Sequence, residues 1–152
     1  MMKITSPIFV QEGKIPKIYT CEGEDFNPPL LIENAPDKTK SMALIVHDPD
    51  APSGDFVHWV VWNIPPSVKE IKERQSPRDA NEGLNDTGKK GYKGPCPPSG
   101  THRYNFHFYA LDNMLDIPET SNKTDLRNEM KGHILEEASL IGLYKKVNGR
   151  DF

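Results

Sequence analysis

The sequence is short of cysteine, with only Cys21 and Cys96 among 152 residues. Two cysteines so far apart provide neither the dense framework of a small disulfide-stapled protein nor the paired spacing of a zinc site. We therefore expect reduced thiols and a cytoplasmic location, because cytosolic proteins rarely keep disulfides.

Long apolar runs and an excess of one charge are also lacking. No stretch approaches the roughly 20 apolar residues of a membrane-spanning helix, and the first residues contain no apolar signal core. Lysine and arginine number 19 against 22 acidic residues, which gives a formal net charge of −3. Composition therefore predicts no nucleic-acid partner and no integral membrane association.

Proline and glycine are plentiful, with 14 and 11 residues. Prolines break helices and are excluded from central strands, so the chain should form short strands, many turns and little helix. Three apolar runs have the length and composition of buried strands: 41–47, 56–64 and 102–111. A polar connection, 67–101, is long enough that we expect it to be functional.

One helix is predicted near the C-terminus. Leu126, Met130, Ile134 and Ala138 fall four apart, so the spacing predicts a helix over about 124–138 with Thr124 as its N-cap. A last strand should follow at about 139–147. We predict one domain over 1–152, mainly β, folded as an antiparallel β-sandwich with Greek-key topology and one or two short helices.

Polar side chains cluster where the predicted strands meet loops. Asp48 and Asp50 follow the first strong strand, His58 lies near the start of the second, and His102 opens the third. Strand ends on a rigid scaffold can hold a site in place, so these residues are candidates for one pocket. Asp50 could alternatively serve only to form the turn, without contacting a ligand.

Two proline-rich motifs carry a family resemblance. The segments 48–52 (DPDAP) and 94–104 (GPCPPSGTHRY), with His58-Trp-Val-Val between them, resemble the signatures of the phosphatidylethanolamine-binding protein family. The chain is similar to the bacterial and archaeal branch, often called Raf kinase inhibitor-like proteins. The resemblance spans roughly 5–147 and implies a β-sandwich of two antiparallel sheets with few helices.

The resemblance also implies a small pocket for phosphate, phosphoethanolamine, acetate or a similar anion. It implies no cofactor, no metal and no catalytic residue. Carried onto this sequence, with Asp50 added from the strand-end cluster, the ligand-binding residues are Asp48, Asp50, Ala51, Pro52, His58, Gly94, Pro95, Pro97, His102 and Tyr104.

The chemistry of these residue types agrees with an anion site. A phosphate group needs hydrogen-bond donors and positive charge, and two histidines supply both when they are protonated. Asp48 would favour the charged imidazole and fix its tautomer. We expect the loop glycines to offer backbone N–H groups to the ligand, and the prolines to stiffen the rim.

The sequence is also compatible with alternative functions. The family has been linked to kinase regulation and to serine-protease inhibition, the latter here through a surface loop such as 72–95. A weak phosphoester hydrolase using His58, His102 and Asp48 is the alternative from another class, although no glycine-flanked nucleophile elbow is present. A homodimer is compatible with the short branch. Cys96 should be a small wall residue, and Arg103 should form an ion pair on the opposite sheet face.

Overall fold

The computed structural model describes residues 1–147 and contains two β-sheets, one short 3₁₀ helix (Lys17–Tyr19) and one α-helix. The elements in chain order are β1 (Lys3–Thr5), β2 (Gly13–Lys14), β3 (Leu30–Glu33), β4 (Ser41–Asp48), β5 (Phe56–Ile64), β6 (Glu70–Ile71), β7 (Asn81–Glu82), β8 (His102–Leu111), α1 (Lys123–Met130) and β9 (Ile134–Tyr144). The smaller sheet has the order β1-β3-β6, and the larger has the order β2-β9-β8-β4-β5-β7. The predicted mainly β fold is confirmed. One pair, β2 with β9, is parallel.

The main core lies between the two sheets. Alternate residues of β4 and β8 face it, because successive side chains of a strand point to opposite faces. The large sheet contributes Met42, Leu44, Val46, Phe106, Phe108 and Ala110, and the small sheet contributes Ile4, Leu30, Ile32 and Ile71. Most of these side chains are fully buried. The packed core therefore provides a rigid support for the ends of β4 and β8.

The other face of the large sheet is partly covered by α1. Leu126 and Met130 of the helix are buried in a second cluster with Val60, Trp62 and Leu111 of the sheet. No helix within residues 1–147 is long and apolar enough to cross a membrane.

The helix is shorter than the sequence pattern predicts. It ends at Met130, because Lys131 adopts a non-helical ψ of 129°, and Gly132 follows with a positive φ of 81° that glycine tolerates. Ile134 and Ala138, expected on the helix, lie on β9 instead. The helix also starts earlier than predicted, with Asn122 rather than Thr124 as N-cap, and Asn122 and Asp125 form a reciprocal capping box.

The long connection between β5 and β8 is structured in part. It contains the two short strands β6 and β7, each paired with a longer strand. Its last part, residues 92–98, packs against residues 17–25. We call these the rim loop and the anchor segment.

Candidate functional site

The inward-facing rows of β4 and β8 both end in polar residues. On β4 the row Met42, Leu44, Val46 continues to Asp48, and on β8 the row of core aromatics continues back through Tyr104 to His102. Because β4 and β8 are antiparallel neighbours, the end of one lies beside the start of the other. The core therefore changes into a polar site at this end of the sandwich.

A β-bulge brings His58 into the same site. His47 pairs with Val57 and Val46 pairs with Trp59, so His58 is an extra residue opposite β4. Trp59 and Val61 face the main core, whereas Val57 faces the outer cluster. Strict alternation from Trp59 would point His58 outward, and the bulge reverses this.

Asp48 and His102 form a buried pair at the base of the site. His102 Nδ1 lies 2.6 Å from Asp48 Oδ2, and the two side chains are 8% and 5% exposed. The other carboxylate oxygen accepts the backbone N–H of Asp50 at 2.8 Å. The carboxylate fixes the tautomer of His102, since Nδ1 must carry a proton to donate to it. Nε2 of His102 is left for a ligand.

His58 and Tyr104 complete the polar lining. Nδ1 of His58 donates to the carbonyl oxygen of Lys93 at 2.5 Å. Burial lowers the pKa of His58, and the carbonyl of Lys93 and the charge of Asp48 only partly oppose that effect. The buried Tyr104 hydroxyl has no hydrogen-bond partner of normal length within residues 1–147, although it lies near the Asp48 carboxylate. Burial is the main reason that the pKa of Tyr104 is raised.

These residues enclose a cavity of about 170 Å³. Pockets for drug-sized ligands are roughly 300–1,000 Å³, so only a small group fits here. All but two of the predicted ligand-binding residues line it, namely Asp48, Ala51, Pro52, His58, Gly94, Pro97, His102 and Tyr104. That they bind a ligand stays a prediction.

The structure places Asp50 and Pro95 outside the cavity lining. Asp50 accepts hydrogen bonds from the backbone N–H, Nε and Nη2 of Arg103 at 2.8–2.9 Å. This contact with Arg103 lowers the pKa of Asp50 to about 2. The carbonyl of Pro95 accepts the backbone N–H of Cys21. Asp50 and Pro95 therefore help to hold the cavity walls in place. The ion pair predicted for Arg103 is present.

The prediction of reduced thiols is wrong, because Cys21 and Cys96 form a disulfide. Their Cα atoms are 5.4 Å apart, since the rim loop docks on the anchor segment. Cys96 is exposed and lines the cavity as well. The argument for a cytoplasmic location relied on free thiols, so that location remains an expectation without this support.

Gly94 has a different role from the predicted one. Its backbone N–H donates to Asp25 Oδ1 at 2.7 Å and is not available to a ligand. A Cβ at this position would lie 2.2 Å from the same oxygen and 2.5 Å from the carbonyl oxygen of Tyr19. Glycine is needed here because the rim loop and the anchor segment approach so closely.

Sequence reasoning missed part of the cavity lining. The additional residues are Ser53, Phe56, Lys93 and Pro98, with Cys96 predicted only as a wall residue. Phe56 stands two positions before His58, and its ring lies 4.9 Å from the His58 ring, so period-two spacing could have found it. No sequence signal pointed to Asp25, which lies 69 residues before Gly94 of the loop it holds.

The remaining histidines lie away from the cavity and pair with carboxylates. His47 contacts Asp55, and His107 and His133 contact Glu137 and Asp112, at 2.7–2.8 Å. Among residues 1–147, no three or more His, Cys, Asp or Glu side chains are grouped so that they could hold a metal ion.

The chain is similar to known proteins over most of its length. The family described as Phosphatidylethanolamine-binding protein matches residues 5–145. A UPF0098 protein of Methanothermobacter thermautotrophicus is 47% identical over 150 residues, which cover 95% of this chain and 99% of the relative. A UPF0098 protein of Aquifex aeolicus is 43% identical over 154 residues, which cover 96% of this chain and 90% of the relative.

Solved structures show the same similarity to phosphatidylethanolamine-binding proteins. The crystal structure of a phosphatidylethanolamine-binding protein homologue from Chlamydia trachomatis is 42% identical, with a TM-score of 0.92, and covers 95% of this chain and 97% of its own. Escherichia coli YbcL, described as a new member of the mammalian family, is 28% identical with a TM-score of 0.88 over 95% of this chain and 98% of its own. This chain belongs to the phosphatidylethanolamine-binding protein family.

Proposed function

We propose that the chain is a non-catalytic binding protein whose cavity takes a small anionic group such as phosphate. The observation that carries the proposal is the buried Asp48–His102 pair facing the unpartnered Tyr104 hydroxyl. A buried hydroxyl without a partner costs free energy unless a ligand or water satisfies it. The Tyr104 hydroxyl and Nε2 of His102 therefore give a ligand two polar groups in the same cavity.

The size and walls of the cavity support a small ligand. Prolines on both sides of the opening restrict the backbone, so little ordering is needed when a ligand binds. Four rings, Phe56, His58, Tyr104 and His102, contact one another in sequence at centroid distances of 4.9–6.4 Å. The ligand would therefore meet a stiff, partly aromatic wall.

Catalysis is the second candidate, because an aspartate that orients a histidine is half of a hydrolase triad. Ser53 lines the same cavity. However, no serine or threonine hydroxyl hydrogen-bonds to His58 or His102 within the described part of the chain. A nucleophile would need such a bond, so binding without chemistry is the better-supported function.

We also propose that this chain regulates a kinase or a serine protease, because its family has been linked to both roles. For a protease, the exposed segment 72–76 lies within the loop already named and offers a continuous accessible stretch. Tight inhibition of a protease that persists in pocket variants would favour that role. Loss of inhibition in those variants would show that the protease is bound through the cavity.

The test is a two-dimensional NMR titration with inorganic phosphate and phosphoethanolamine at pH 6, on wild type and His102→Ala. We expect saturable shifts at residues 48–58 and 94–104 in wild type and their loss in His102→Ala, because the variant removes the imidazole that faces the ligand. His133→Ala is the matched control, since this half-exposed histidine lies outside the cavity and should leave binding unchanged. The absence of saturable shifts at millimolar ligand would contradict the proposal, and turnover of a phosphoester panel would favour the hydrolase.

A further inference from the structure

The positions of the protons in the cavity can be deduced from its hydrogen bonds. The partner of His58 Nδ1 is a backbone carbonyl, which can only accept, so Nδ1 carries the proton. In the neutral ring, Nε2 is then a lone-pair acceptor. His58 thus presents an acceptor to a ligand, whereas Tyr104 O–H presents a donor.

The surroundings of His58 keep its ring neutral. The groups around it are two carboxylates, one ammonium and a second histidine, with two aromatic rings in direct contact: Asp25, Asp48, Lys93, His102, Phe56 and Tyr104. The ammonium of Lys93 lies 3.5 Å from Asp25 Oδ2 and is largely balanced there. Burial outweighs the remaining carboxylate, Asp48, and lowers the pKa of His58. At neutral pH the ring therefore carries one proton, on Nδ1.

The charges of the cavity limit the charge of the ligand. Asp48 is buried and negative, and both of its oxygens already accept hydrogen bonds. The Asp48–His102 pair carries no net positive charge in either protonation state of the imidazole, and neutral His58 adds none. A dianion placed here would face the Asp48 carboxylate with no net positive charge to offset it. A singly charged ligand that keeps an O–H can donate to His58 Nε2 and avoids placing a second negative charge beside Asp48.

We infer that this cavity is specific for an oxyanion that carries one proton on oxygen, such as dihydrogen phosphate or the monoanion of a phosphate monoester. The inference rests on the proposed function and narrows its ligand class. The ligand O–H donates to Nε2 of His58, and another of its oxygens accepts from Tyr104 O–H. A tetrahedral anion of the same size without a proton, such as sulfate, leaves His58 Nε2 without a donor.

The decisive experiment compares phosphate with sulfate on the unmodified protein at pH 6, by NMR titration or calorimetry. We expect phosphate to bind at least about tenfold more tightly than sulfate, because sites built around a ligand hydroxyl strongly reject analogues that lack it. Equal affinities would overturn the inference and leave the anion pocket standing. If neither ion binds, the proposed function fails as well, so the two failures are distinguishable.

A pH series adds a second arm. The second pKa of a phosphate monoester is about 6, so an alkyl phosphate loses its remaining proton between pH 5.5 and 8. We expect its affinity to fall over this range more steeply than that of sulfate, which does not titrate there and reports protein groups alone. Parallel pH profiles for the two ions would overturn the inference.

A variant tests the charge argument separately. Asp48→Asn keeps the size of the side chain and removes its charge, so sulfate should gain affinity relative to phosphate. An unchanged ratio in a variant that retains the wild-type circular dichroism spectrum would contradict the role given to Asp48. The wild-type ion comparison does not depend on whether this variant folds.

Discussion

At the scale of single residues, the charged side chains around the cavity divide into those that face it and those that hold its walls. Asp48 faces the cavity, whereas Asp50, two positions later, binds the exposed Arg103. Strand β4 ends at Asp48, so Asp50 lies in the following turn, where it binds Arg103 rather than facing the cavity. A carboxylate in the motif is thus not by itself evidence of ligand contact.

The stability of the fold should depend on pH through buried histidines. Burial lowers the folded-state pKa of His58 and His47 below 6.5, so the unfolded chain takes up protons first as the pH falls. Their contribution is fully present above pH 6.5 and is lost as the pH falls through the lowered folded-state pKa. We expect the melting temperature to drop between pH 6.5 and 5, and to drop less in His58→Gln, as measured by calorimetry.

The matched control for that series is His133→Gln, which alters a half-exposed histidine paired with Asp112. It should keep the wild-type pH profile. A His58→Gln profile that parallels wild type would show that His58 is not the titrating group.

Gly94→Ala should weaken ligand binding from outside the cavity. The new methyl group cannot fit 2.2 Å from Asp25 Oδ1, so the rim loop must move away from the anchor segment. We expect a loss of phosphate affinity with destabilisation of about 1–3 kcal/mol, measured by titration and urea unfolding. Gly88→Ala is the control, because its Cβ meets nothing and only its positive φ of 79° opposes alanine. Wild-type phosphate affinity in Gly94→Ala would show that the rim does not depend on this close approach.

At the scale of elements, the rim loop is attached to the anchor segment by more than the disulfide. Tyr92 O–H donates to the carbonyl of Tyr19 at 2.8 Å, and Lys93 pairs with Asp25. These contacts position Lys93, whose carbonyl fixes the tautomer of His58. The geometry of one wall thus depends on a segment seventy residues earlier in the chain.

Reduction of the disulfide should destabilise the fold and loosen this wall. The bridge joins residues 75 apart, so its loss should cost about 2–4 kcal/mol, chiefly by enlarging the unfolded ensemble. We expect a dithiol reductant to lower the urea midpoint and the phosphate affinity. The double variant Cys21→Ser/Cys96→Ser should match the reduced protein and not respond to the reductant. Equal midpoints with and without reductant in wild type would contradict the prediction.

The elements also show what the sequence could and could not predict. Strands β4, β5 and β8 were predicted within about one residue, because their apolar runs are long and bounded by prolines or polar turns. The helix was predicted too long, because Ile134 and Ala138 happen to continue its four-residue spacing into β9. Gly132 is a common signal for a helix C-terminus, and the helix does end just before it, but the continuing four-residue spacing outweighed that signal in the prediction.

The candidate site was predictable where motif residues sit on regular strands. Asp48 and His102 follow from alternation along β4 and β8, whereas His58 depends on a bulge that only the strand pairing reveals. The disulfide and the use of the Gly94 amide arise from tertiary packing, which spacing along the chain does not encode.

At the scale of the whole molecule, ligand binding should stabilise the complete fold, because the cavity walls come from β4, β5, β8 and the rim loop. A ligand at 100 times its dissociation constant adds about 2.7 kcal/mol when it binds only the folded state. We expect the melting temperature to rise with phosphate concentration at pH 6 in wild type but not in His102→Ala. An equal rise in both proteins would indicate a general salt effect.

The bridge between Cys21 and Cys96 also makes residues 21–96 a closed covalent ring. The ring contains β4, β5 and β7, while β2, β8 and β9 lie outside it, so the large sheet is divided at the β4–β8 boundary. Asp48 and His102 face each other across that boundary. A protease that cuts one peptide bond within the ring therefore releases no fragment while the bridge is oxidised, and the two halves of the site stay joined in a nicked chain.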